Sequence, residues 1–201
     1  MDPSNKGRPS SDRIHRRQLK RRQEMIDAAL VLLNTSNLQS LNLSEVAEAA
    51  DVSKSTLYQY FGTRQAFLDE VVTTHLAPKL VAIQNLVNKA TNVEQIVPEV
   101  MQAVLRTLTS DLDCWGTGYL CSEPVNHYLQ QAIQILETEL LHLEVPFANQ
   151  LAVMSCTWAY GLAFTSQLID VPIIKRAAIE IQVQEAGALL LAGHQKLSPL
   201  L

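Results

Sequence analysis

Between residues 44 and 61 the chain reads Ser-Glu-Val-Ala-Glu-Ala-Ala-Asp-Val-Ser-Lys-Ser-Thr-Leu-Tyr-Gln-Tyr-Phe, and no other stretch constrains the fold so tightly. Val46, Ala47 and Ala50 recur at helical spacing. Val52 fills a break after Asp51, and Leu57 and Phe61 resume the apolar stripe. Ser53 stands where it caps a second helix, which opens Lys54-Ser55-Thr56 and carries Tyr58, Gln59 and Tyr60. Two short helices joined by a tight turn, apolar where they meet and polar elsewhere, have the layout of a helix-turn-helix. In that motif the second helix lies in the DNA major groove.

The charge distribution points the same way. The chain as a whole is mildly acidic, with a formal net charge of -4. Between residues 5 and 22, however, stand Lys6, Arg8, Arg13, Arg16, Arg17, Lys20, Arg21 and Arg22 against the single acid Asp12. From residue 63 onward seven bases face thirteen acids. A basic arm before a polar-tipped helix, with an acidic body behind, is a nucleic-acid signal because it coincides with a binding motif.

Other features narrow the class. No uninterrupted apolar run is long enough to span a bilayer. The basic N-terminus has no apolar segment behind it, unlike a secretory signal. Cys114, Cys121 and Cys156 lack metal-type spacing and read as reduced thiols of a cytoplasmic protein. No Gly-rich phosphate loop, nucleophile elbow or metal-spaced His/Cys/Asp cluster is present, so neither an enzyme nor a cofactor or metal site is expected.

The expected fold is all-α, with about nine helices. Residues 1–12, polar and aperiodic, read as a disordered basic arm. Residues 13–63 form a three-helix DNA-binding unit, and residues 64–201 a larger helical regulatory and dimerisation domain. The first helix runs from Ile14 or Arg17 to Asn34 and buries Ile26, Ala29, Leu30 and Leu33. Asn42 caps the second, with Glu45 three residues on as in a capping box. A long fourth helix spans about 64–90, with Pro78 inside it as a kink. Further helices are expected over about 91–110, 122–143, 146–169 and 170–193, with a loop at 111–118.

The residues from Gln23 to Val71 resemble the TetR family of bacterial transcriptional regulators. The resemblance is carried by Ile26-Asp27-Ala28-Ala29-Leu30, Val46-Ala47-Glu48-Ala49-Ala50, Val52-Ser53-Lys54-Ser55-Thr56-Leu57-Tyr58, Tyr60-Phe61 and Arg64-Gln65-Ala66-Phe67-Leu68, in order and without a gap through the motif. Asp51 stands where the family often has Gly, Ser55 where Gly is frequent, Arg64 where Lys is usual and Asn42 for a common Thr. Operator preference therefore does not carry over from a relative.

The resemblance implies that Lys54, Ser55, Thr56, Tyr58 and Gln59 meet base edges and nearby phosphates. Lys suits guanine and Gln suits adenine in the major groove. Tyr60, Thr63 and Arg64 are expected at the DNA backbone, with Asn42 and Ser53 at the two helix N-caps completing the set. A second reading of Tyr58 and Tyr60 stays open, as core aromatics. Arg16, Arg17, Lys20, Arg21 and Arg22 are candidates for phosphate or minor-groove contacts, or are simply a solvated basic face. Phosphate contacts make binding salt-dependent, with a slope of roughly −0.9 per phosphate neutralised.

One such unit is too small to select a genomic site, and a two-fold homodimer implies a pseudo-palindromic operator. Two stripes are candidates for the interface: Ala152, Cys156, Ala159 and Ala163, and, in the last helix, Ala177, Ile181, Ala188 and Leu191. Internal packing is the alternative for either. By resemblance, the helices over about 64–169 enclose a pocket for a small-molecule effector. Trp115, Tyr119, His127, Tyr128, Phe147 and Trp158 are its candidate lining. The function expected is a repressor released from double-stranded operator DNA by that effector. The alternatives are a ligand-independent regulator or activator of the same fold, and a small-molecule binding module that no longer reads DNA.

Overall fold

The computed structural model describes residues 11–110, 115–168 and 176–197, and all structural statements refer to these. They form eight α-helices and one short 3-10 helix, with no strand among them. The helices are α1 (Ser11–Leu32), α2 (Leu43–Ala49), α3 (Lys54–Phe61), α4 (Arg64–Val87) and α5 (Val93–Ser110). The 3-10 helix (Thr117–Cys121) follows, then α6 (Glu123–His142), α7 (Ala148–Leu168) and α8 (Arg176–Leu197). The chain divides into two compact units between Val71 and Val72, inside α4.

In the first unit, Met25, Ile26 and Ala29 of α1, with Leu33 just past its end, pack with Leu43, Val46 and Ala47 of α2 and with Leu57 and Phe61 of α3. Phe67, Leu68 and Val71 close the core from α4, with Phe61 and Phe67 edge to face at 4.8 Å. Met25 is fully buried, whereas Leu30, expected in the stripe, is only half-buried. α1 starts earlier than its apolar pattern does. Ser11 and Asp12, expected in the arm, are helical, because the helix needs no buried face along its exposed basic turns. The rest of the expected arm, residues 1–10, lies outside the described residues.

The second unit is built on α5. Ile96, Val97, Val100, Met101, Val104, Leu105 and Leu108 are all buried, a wide stripe at helical spacing that packs against α6, α7 and α8. Asn92 starts α5 by accepting from the Gln95 amide at 2.9 Å. Pro98 meets α8 at Gly187, where a Cβ would stand only 3.0 Å from the proline Cγ. The loop expected over 111–118 is described only from Trp115. Beyond Gly116, at φ +74°, the chain winds into the 3-10 helix instead.

The small-residue stripe expected at a dimer interface lies inside the chain. Ala152, Cys156, Ala159 and Ala163 are each 0% exposed in the single molecule, so they have no surface to offer a partner. Their small size lets α7 approach α5 and α6 closely. Leu191 is likewise buried, whereas Ala188 is exposed, and the side chains of Ala177 and Ile181 lie outside the described ones. Burial keeps the Cys156 thiol protonated, its pKa pushed up from 9.0 to about 12.

Candidate nucleic-acid interface

The turn between α2 and α3 follows from backbone hydrogen bonding. Val52 N–H donates to Ala47 O at 2.9 Å and Asp51 N–H to Glu48 O at 3.0 Å, the paired bonds of a Schellman stop. That stop needs a left-handed residue, and Asp51 supplies it at φ +51°. Asp tolerates this conformation, which most side chains do not. Arg21 ties the turn to α1, donating to Asp51 O at 2.7 Å and to Glu24 at 3.0 Å.

Both motif helices are capped as their sequences predict. Asn42 accepts from Ser44 N–H at 2.9 Å, and its amide reaches Glu45 at 3.1 Å. Ser53 Oγ accepts from Thr56 N–H at 3.1 Å and lies 2.7 Å and 2.8 Å from the Ser55 and Thr56 hydroxyls. These bonds hold the first turn of α3. Gly62, at φ +76°, ends the helix, a conformation open to glycine because it has no Cβ.

The result is a two-turn helix with sharply different sides. Leu57 is 0% exposed and Phe61 is buried. Lys54, Ser55, Tyr58 and Gln59 are exposed, Tyr58 at 38%, while Thr56 and Tyr60 are half-buried. Tyr58 is therefore no core aromatic. Arg16, Arg17 and Lys20 of α1 are exposed as well, with Lys20 pairing Glu24 at 3.8 Å.

Besides Arg21, two further arginines expected at DNA phosphates are engaged within the protein. Arg22 forks onto both carboxylate oxygens of Glu70, the Nε bond at 2.6 Å, and donates to Tyr60 O at 2.6 Å. Its guanidinium lies 4.3 Å from the Phe61 ring centroid. Arg64 turns to the segment before α2, donating to the carbonyls of Leu38 (3.3 Å), Gln39 (3.1 Å) and Leu41 (3.4 Å). Thr63 caps α4, its hydroxyl accepting from Ala66 N–H at 3.0 Å. Sequence carries no local sign of the Arg22 and Arg64 contacts, because their partners lie 23 to 48 residues away and a phosphate attracts the same side chain.

In the second unit the structure brings only two of the six expected pocket residues to a common cavity. Trp115 and Tyr119 line it with Leu76, Thr107, Leu108 and Val125. Its volume is about 10 Å³, barely room for one water. Tyr128 is buried in the core of α6, His127 and Phe147 are exposed, and Trp158 is half-buried. His75, which the sequence did not single out, stands edge to face with Trp115 at 4.8 Å. Among the described residues no group of His, Cys, Asp or Glu is placed to hold a metal ion, and no helix is long and apolar enough to cross a membrane.

A capped, two-faced helix following a Schellman turn, with exposed basic turns on α1, has the layout of a helix-turn-helix. Residues 25–71 match the model of the bacterial regulatory proteins of the tetR family. Solved structures share the fold across both units. The fatty acid degradation regulator FadR from Bacillus halodurans is 17% identical, with a TM-score of 0.61 over 83% of this chain and 94% of its own. FadR from Bacillus subtilis, in complex with stearoyl-CoA, is 14% identical, with a TM-score of 0.61 over 82% and 96%. A TetR variant from Acinetobacter baumannii, in complex with minocycline, is 23% identical, with a TM-score of 0.58 over 86% and 95%. No curated protein matches the chain. The chain thus has the fold of a TetR-family transcriptional regulator.

Proposed function

We propose that this protein is a repressor that binds a pseudo-palindromic operator as a homodimer and is released by a small-molecule effector. The observation that carries the reading is the two-sidedness of α3. Leu57 and Phe61 anchor it, while Lys54, Ser55, Tyr58 and Gln59 remain outside and every one of them can bond a base or phosphate. Arg16, Arg17 and Lys20 add positive charge on α1, where phosphate contacts supply affinity without reading sequence.

Dimerisation uses the outer sides of α7 and α8. Met154 is 53% exposed and Leu189 73%, large apolar residues that lose water contact when two copies meet. The effector enters the second unit near Trp115 and Tyr119. The stearoyl-CoA and minocycline complexes of the two fold relatives support a ligand-binding role for this unit. Because the cavity is so small, effector entry requires the surrounding side chains to move apart. An effector that favours the moved arrangement lowers DNA affinity, and DNA lowers effector affinity by the same factor, typically about 5- to 150-fold. α4, which begins in one unit and ends in the other, is the element that carries this coupling.

The test is a gel shift with genomic fragments, comparing the wild-type protein with Lys54→Ala and Tyr58→Ala. Loss of a specific shifted band in both variants, with their folds intact by circular dichroism, supports the reading. Equal binding by all three proteins contradicts it.

A further inference from the structure

Arg22, expected at a DNA phosphate but bonded within the protein, points to a different task. We propose that Arg22 and Glu70 form a clamp that positions the C-terminal end of the recognition helix, so that DNA affinity depends on a carboxylate that never touches DNA. The inference rests on the DNA-binding reading of α3 given above.

The geometry is specific. An α-helix leaves its last carbonyls without intrahelical partners. At the end of α3, Tyr58 O accepts from Gly62 N–H at 2.8 Å and Phe61 O from Thr63 N–H at 2.9 Å. Tyr60 O takes its bond from Arg22, whose charge also opposes the negative end of the helix. The same guanidinium covers the Phe61 ring and is held in plane by the Glu70 carboxylate. One side chain of α1 thereby ties the end of α3 to α4. Bidentate pairing fixes the guanidinium in orientation as well as distance, which an ammonium group does not do.

The consequence reaches the reading face because α3 is only eight residues long. Ser53 holds its first turn and Arg22 its last, and Leu57 is the buried side chain between. With the last turn released, the helix pivots on Leu57, and Tyr58 and Gln59 shift against the bases. Glu70 stands one residue before the division between the two units. Any displacement of this turn of α4 therefore pulls directly on α3.

The clamp and a phosphate contact predict opposite results. Removing an acid from a DNA-binding unit ordinarily strengthens binding, because it lessens repulsion of the phosphates. Under the clamp, Glu70→Gln and Glu70→Ala weaken specific binding about tenfold, within the range for residues coupled in one network. Arg22→Lys, which keeps the charge but not the fork, weakens it comparably. In Arg22→Gln the salt dependence keeps its wild-type slope, whereas loss of a phosphate contact lowers that slope by about 0.9.

The experiment measures affinity for a specific duplex at several salt concentrations, corrected for folded fraction. It also measures amide hydrogen exchange of α3 in the free, full-length proteins. Weakened binding at unchanged slope, with α3 exchanging faster while the buried turn of α1 at Met25 and Ile26 does not, supports the clamp. Binding by Glu70→Gln as tight as wild type or tighter, or a reduced slope in Arg22→Gln, overturns it. Wild-type protein that selects no sequence defeats the DNA-binding reading separately. Exchange then decides the clamp alone, and unaltered α3 protection in Glu70→Gln overturns it.

Discussion

Leu57 and Tyr58 are neighbours in sequence and opposites in environment, and replacing each by alanine separates folding from reading. Leu57 is 0% exposed between the motif helices, and truncating it deletes three buried carbon groups. At roughly 0.8 kcal/mol for each, transfer alone removes about 2.4 kcal/mol. The cavity left behind brings the loss into the range of about 3–5 kcal/mol. A unit of about sixty residues has a total stability of roughly 3–9 kcal/mol, so Leu57→Ala consumes a third of it or all of it. Tyr58 is 38% exposed, and Tyr58→Ala lowers stability by less than about 1 kcal/mol while abolishing specific DNA binding. Urea unfolding of the N-terminal unit, followed by hydrogen exchange at α2 and α3, measures both values. A Leu57→Ala protein within about 1 kcal/mol of wild type, or a Tyr58→Ala protein equally destabilised, refutes the two-sided account of α3.

Three further outcomes follow from the second unit. Gly187→Ala places a Cβ 3.0 Å from Pro98 Cγ, so it destabilises by about 1–3 kcal/mol despite alanine's better helix propensity, and a raised melting temperature contradicts the close approach. The folded chain keeps the Cys156 proton that the unfolded chain releases above its ordinary pKa of 9.0. Stability therefore falls as pH rises from 9 toward 12, by up to about 1.4 kcal/mol per pH unit. Cys156→Ala shows a shallower alkaline loss, and identical pH profiles for the two proteins contradict the buried thiol. Met154→Asp combined with Leu189→Asp yields a monomer in sedimentation equilibrium, and an unchanged dimer removes the outer sides of α7 and α8 from the interface.

The parts of the fold legible in the sequence are those decided by local chemistry. Ser53 and Asn42 announce helix starts because a side-chain oxygen two or three residues before an unpaired N–H does the same thing in almost any context. Asp51 announces a turn because few other residues enter the left-handed region. Leu57 and Phe61 are recognised as buried because helical period and polarity change together around them. What resisted reading depends on which surfaces meet. Arg22 looks identical in sequence whether it bonds a phosphate or Glu70, which lies 48 residues away. Ala152, Cys156, Ala159 and Ala163 invite close helix approach, but a stripe of small residues does not specify whether the approaching helix is its own chain's or a partner's. The aromatic residues of the second unit are spread over several helices, and only three-dimensional packing puts Trp115 beside Tyr119 and His75 and sends Phe147 to the surface.

Selection of bound sequences from random duplex DNA by the full-length protein at near-physiological salt tests the central claim most directly. The account predicts a palindromic motif with half-sites about 34–36 Å apart or a multiple of that spacing, recovered by wild type and lost with Tyr58→Ala. Weak, salt-sensitive binding with no motif, or the same motif recovered by both proteins, contradicts it.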